Sequence, residues 1–121
     1  MKSNSFLMFR LNDHIQYMKK IQRTLSDKSD FKGLEHQHCK LGEWLYGDGI
    51  EEIKSTNNKE LEEIFQSLYE PHKKYHDASK KALQHHNENN EKEARQYETK
   101  MIVISSILVN LLLKLDASAK N

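Results

Sequence analysis

The chain is short of cysteine, proline and glycine, and each shortage closes off a class of answers. Of its 121 residues one is cysteine, one is proline and four are glycine. A lone thiol permits no intramolecular disulfide, which fits a reducing compartment. So little turn chemistry argues against a sandwich or barrel, whose strands need a turn every ~8–12 residues. An excess of one charge is missing too: 19 Lys and Arg face 18 Asp and Glu, for a formal net charge of +1. The basic surplus usual in a nucleic-acid-binding domain is therefore absent. The most apolar stretch, Met101–Leu115, falls about five residues short of the ~20 needed for a membrane span and contains Asn110 and Lys114. The N-terminus, MKSNSFLMFRLNDH, has too short an apolar run and too early a charge for a signal peptide. These absences predict a cytoplasmic protein with no nucleic-acid partner and no membrane partner.

What is present is helical periodicity. Leu7, Leu11, His14, Met18, Ile21 and Leu25 recur in steps of three and four, the period of one helix face. Leu61, Phe65, Leu68, His72, His76, Ser79 and Leu83 repeat that spacing, with Asn57 and Glu60 as an N-cap and capping-box start. Ala94, Tyr97, Met101, Ile104, Leu108, Leu111 and Leu115 form a third stripe, on a segment apolar around most of its circumference. Asn87–Asn90 reads as the connection between the last two helices. Pro71 either kinks its helix or begins a new one at His72. Between the first and second stripes, Asp30 is placed to cap a short helix through Phe31, Leu34 and His38. Cys39–Gly49 reads as a structured turn or short helix. The expected fold is all-α: an antiparallel four-helix bundle with a short extra helix or turn carrying the Cys-x-x-Gly-x-Trp motif. Residues 1–121 are expected to form a single helical-bundle domain.

The periodicity has an anomaly. His14 falls where the first helix should present an apolar side chain to the core, and His72 and His76 do the same on another. A buried imidazole needs partners for both nitrogens, so three of them are costly unless something organises them. His72 and His76, four apart, project from one helix face, the spacing by which two histidines grip one metal ion. With Cys39 the three histidines would make a tetrahedral set whose softness suits zinc. The residues alone leave a second reading open: partly exposed His72 and His76, a satisfied core His14, and Cys39 as a small buried hydrophobe.

The string HQHCKLGEWLYGDG, His36–Gly49, resembles the H-x-x-C-x-x-G-x-W signature of the chemoreceptor zinc-binding domain family, continued by an aromatic and a glycine. His36, Cys39, Gly42, Trp44, Tyr46 and Gly49 fall on that pattern. Upstream, NDHIQYMKKI is similar to the family's first ligand helix, and downstream PHKKYH, Pro71–His76, matches its P-H-x-x-x-H element. The resemblance implies one Zn2+ held by His14, Cys39, His72 and His76. It gives His36 a supporting or packing role, Gly42 a tight turn, and Trp44 the space between helices beside the cysteine. His38 has no ligand role in the pattern, and His85 and His86 are expected to be solvated.

The implied function is a sensory or regulatory domain of bacterial signal transduction, of chemotaxis or cyclic-di-GMP type, that responds to zinc or to oxidants. The redox-sensitive group would be Cys39, since an oxidised sulfur holds zinc poorly. Four protein ligands leave no position for a substrate water, so no enzyme is expected. No methyl-accepting coiled coil and no GGEEF motif is present in the sequence, so the signalling partner or fused output domain is expected outside it. The apolar Met101–Leu115 segment offers a homodimer face. The alternative is a metal-independent helical interaction module. A di-iron site is disfavoured, because no Glu-x-x-His pair lies on an apolar helix face. The C-x-x-C-H motif of haem attachment is absent.

Overall fold

The computed structural model describes residues 4–27 and 39–119, with side chains from 9 to 26 and from 39 to 119. Among the described residues six helices follow one another: α1 (Asn4–Asp27), α2 (Lys40–Tyr46), α3 (Gly49–Lys54), α4 (Lys59–Gln66), α5 (Tyr69–Asn87) and α6 (Glu91–Ala119). No strand occurs among the described residues. The chain is an all-α bundle in which α5 and α6 form a long antiparallel hairpin, α1 lies against both, and α4 packs on α6. The expected short helix through Phe31, Leu34 and His38, its Asp30 cap, His36, and the Leu7 side chain lie outside the described residues.

The stripes read from the sequence do line the core, with shifts. On α1 the buried face is His14, Tyr17, Ile21, Thr24 and Leu25, while Leu11 and Met18 are only partly covered. On α6 it is Ala94, Met101, Ser105, Leu108, Leu112 and Leu115. A stripe at steps of three and four drifts around a helix of this length, and near its middle the inward position is Ser105, not Ile104.

The long pattern from Leu61 to Leu83 is two helices. A proline ring clashes with the carbonyl four residues back, here Ser67, so α4 cannot run on through Pro71. The chain breaks at Ser67 and Leu68 in a tight turn, where the Leu68 N–H donates to Phe65 O at 3.0 Å. The new helix starts at Tyr69, three residues before the expected His72. Pro71 thereby falls in the first turn, where a missing N–H removes no helical bond. The cap of α4 is Asn58, one residue beyond the expected Asn57, and its side chain accepts from Leu61 N at 3.1 Å. Asn57 is instead left-handed, at φ 53°. With Leu61 in the third helical position, Glu60 closes no capping box.

The α5–α6 connection is a Schellman turn. Asn89 takes the left-handed conformation (φ 65°), Asn90 N donates to His85 O at 2.8 Å and Asn89 N to His86 O at 3.1 Å. His85 and His86 are half-buried there, which corrects the expectation that both are solvated. The His85 ring stacks on Tyr97, and His86 Nδ1 lies 2.7 Å from Glu91 Oε1. Bending the chain back sharply lets α6 retrace α5 along its length.

Helices α2 and α3 form a compact corner. The Trp44 indole N–H donates to Glu52 Oε2 at 2.6 Å, and its ring meets Phe65 of α4 edge-on at 5.1 Å. Gly49 makes this closeness possible, because a Cβ there would stand 2.5 Å from Trp44 O and 2.9 Å from the Phe65 ring. The Tyr69 hydroxyl donates to Leu45 O at 2.7 Å, and Arg10 Nη1 donates to Lys40 O at 3.3 Å. The corner is therefore tied to α5 at one end and to α1 at the other.

The last helix is longer than its apolar stretch. At 29 residues α6 is long and apolar enough, by length and composition alone, to cross a membrane, where the sequence alone suggests a segment too short. Its inward face is that of a bundle helix. Ile102, Val103, Ile107 and Leu113 are exposed on the other side.

Candidate metal centre

Three of the four expected ligands come together. Cys39 Sγ lies 3.2 Å from His72 Nε2 and 3.2 Å from His76 Nε2, and the three donor atoms lie within 4.8 Å of one another. All three residues are buried. Zinc–sulfur and zinc–nitrogen bonds of ~2.3 and ~2.05 Å at a tetrahedral angle imply a sulfur–nitrogen edge of about 3.6 Å. The cluster is within a few tenths of an ångström of that edge, and its soft and borderline donors suit the same ion. The residues present fit a metal.

Each donor is placed by local structure. His72 and His76 stand one turn apart on α5, their rings 4.8 Å apart. His76 is held further by Ser79, whose hydroxyl donates to His76 O at 2.9 Å. Cys39 is the N-cap of α2: its backbone is extended, and its sulfur accepts from Gly42 N at 3.2 Å. Gly42 accordingly sits in the first turn of a helix, not in the tight turn expected of it. Its N–H is one of the donors a helix start leaves over.

His14 is placed differently. It is buried on α1, but its Nε2 lies 2.8 Å from Ser105 Oγ of α6, and it is not among the three clustered donors. Its ring packs against Tyr75 at 4.4 Å, and Tyr75 packs against His76 at 5.4 Å. Tyr17 also lies against His76, at 4.6 Å. His14, Tyr17, Cys39, Tyr75 and His76 all line one cleft of about 390 Å³. The sequence reading missed Tyr17, Tyr75 and Ser105. The tyrosines had a signal: each stands three residues after a site histidine, on the same helix face.

Burial governs the electrostatics. It pushes the Cys39 thiol above its ordinary value. The N–H groups of Gly42 and Leu41 oppose that shift, and the Glu43 and Asp13 carboxylates add to it. Without a cation the sulfur keeps its proton at neutral pH; a bound metal ion reverses that preference. Burial lowers His14 from 6.5 to about 4, so the folded protein keeps this imidazole neutral.

A pH dependence follows. The unfolded chain protonates His14 near 6.5, while the folded chain resists until about 4. Its contribution is thus complete above 6.5 and drains away as the pH falls towards 4, by about 3 kcal/mol in all. Urea unfolding in the presence of a chelator, at neutral and acid pH, checks this. His14→Gln should flatten the slope by that amount.

A helical bundle that buries a thiol and two imidazoles at coordination distance defines a metal-binding helical domain. The sequence model of the chemoreceptor zinc-binding domain family matches residues 14–83, more than half of the chain, and the chain belongs to that family of zinc-binding signalling domains. The matched span opens on His14 and takes in Cys39, His72 and His76. No curated protein and no solved structure matches the chain.

Proposed function

We propose that the protein is a zinc-binding sensory domain of bacterial signal transduction, of chemotaxis or cyclic-di-GMP type. It would hold Zn2+ through His14, Cys39, His72 and His76 and report zinc or oxidant to an output partner. The observation that carries this is the buried Cys39–His72–His76 cluster, whose donors come from two different parts of the chain. Support for His14 as the fourth ligand is its burial on the same cleft as Cys39 and His76, one tyrosine ring away from His76. When bound, the metal stabilises the thiolate and ties the Cys39 segment to α5. The protein's own part is to keep His14 neutral, pack Tyr17 and Tyr75 against His76, and seat the sulfur at the start of α2. With four protein donors the ion has no place for a substrate, so the domain binds and signals without catalysis.

The same reading gives the domain a cytoplasmic location and a second copy as partner. Between Lys100 and Lys114 the exposed side chains of α6 are Ile102, Val103, Ser106, Ile107, Asn110 and Leu113, none of them charged. A two-fold contact lays a surface against itself, so a stripe without charge meets no repulsion there. Native mass spectrometry of untagged protein purified without added metal tests both points. One zinc per chain and a mass of two chains are expected, with Ile107→Glu returning single chains that keep their zinc. Protein that stays metal-free after equimolar zinc would overturn the zinc reading, and single wild-type chains would remove the dimer.

A further inference from the structure

Ser105 is the only polar residue on the buried face of α6, and it meets a candidate ligand. Its hydroxyl lies 2.8 Å from His14 Nε2, with the two side chains 3% and 4% exposed. His72 and His76 each approach Cys39 through that same ring nitrogen, Nε2. We propose that Ser105 sets the metal affinity of the centre by competing with zinc for Nε2 of His14. Metal capture then exchanges an α1–α6 hydrogen bond for a tie between α1, α5 and the Cys39 segment. The proposal rests on the reading of His14 as the fourth ligand.

The exchange follows from the chemistry of one nitrogen. If Nε2 accepts from the serine, its lone pair is already engaged; if it donates, a proton occupies that lone pair and must move to Nδ1 before a metal can bind. Either way the bond to Ser105 must break. The released hydroxyl has a fallback, because a helical serine can donate to the carbonyl four residues back, here Met101. Thr24 does this on α1, donating to Lys20 O at 2.9 Å. The competing state is therefore accessible, and the hydroxyl acts as a brake on zinc. Because the brake sits on α6, releasing it removes a contact from the helix whose far side carries the exposed apolar stripe. Ser105 is in this sense a positioning residue that acts through His14.

Competition titrations against a zinc-chelating dye at neutral pH test this on wild type, Ser105→Ala, Ser105→Thr, His14→Ala and the Ser105→Ala/His14→Ala pair. Alanine leaves His14 without its buried partner and should tighten zinc binding about tenfold. Threonine keeps the hydroxyl and should stay within about twofold of wild type on the same grounds. In the His14→Ala background the alanine gain should vanish, since the serine then has nothing to hold. Equal or weaker binding by Ser105→Ala, or the same gain without His14, would overturn the proposal while leaving the metal centre standing. A wild-type protein that takes no zinc would bring down the centre and this inference together.

Discussion

Replacing Cys39 with serine is expected to weaken zinc binding roughly a thousandfold while the helices stay formed. A structural zinc site in a small protein contributes roughly 10–16 kcal/mol, shared among four ligands. The thiolate is the only anion among the donors proposed here, so its share exceeds an even quarter. A serine hydroxyl is harder, and it does not ionise near neutral pH as a metal-bound thiol does. The choice of serine over alanine matters. Cys39 Sγ also caps α2 by accepting from Gly42 N, and serine is among the preferred capping residues. Alanine should add a stability loss of about 1 kcal/mol from the lost cap, serine almost none. Far-UV circular dichroism should show the helices retained in both variants, because the core stripes of α1, α5 and α6 are untouched. Unchanged zinc affinity in Cys39→Ser would remove Cys39 from the centre.

Treatment of the zinc-loaded protein with hydrogen peroxide is expected to release the metal before the helices melt. The thiolate attacks one peroxide oxygen, which stays on sulfur as the hydroxyl of a sulfenic acid; the O–O bond breaks, and the other oxygen leaves as hydroxide that takes a proton from solvent to become water. Cys39 is buried, yet it lines the same cleft as Tyr17 and His76, which offers a small oxidant a way in. Losing one of the four proposed ligands should weaken the centre on the scale argued for the serine variant. A zinc-sensitive dye should therefore report release in step with the appearance of oxidised Cys39 by mass analysis, at constant helicity. Oxidised Cys39 with the zinc retained would sink the redox part of the reading.

Much of this was legible in the residues, and the gaps have physical causes. Period and polarity located the long helices, and Cys39–Gly49 read as ordered despite its glycines. The histidines stood out as polar residues at core positions, and His72 and His76 do close on Cys39. The boundary at Pro71 was misplaced because a proline breaks a helix at the carbonyl four residues before it, not at its own position: the break falls at Ser67 and the proline is accepted inside the next helix. The cap moved from Asn57 to Asn58 because two adjacent asparagines both suit a helix start, and only the left-handed turn at Asn57 distinguishes them. Ser105 could not be read in advance. A serine in an apolar run looks neutral until tertiary packing brings a histidine 91 residues away against it.

The sulfur of Cys39 does more than offer a donor atom; it is where α2 begins. Seven residues at ~1.5 Å each make α2 a rod about 10 Å long. Its near end sits among the histidines, and its far end carries Tyr46, 43% exposed and packed against Tyr69 at 5.2 Å. With the sulfur against His72 and His76 at one end and the Tyr69 hydroxyl on Leu45 O at the other, α2 is held to α5 twice and spans the distance from the buried centre to the surface as one hydrogen-bonded unit.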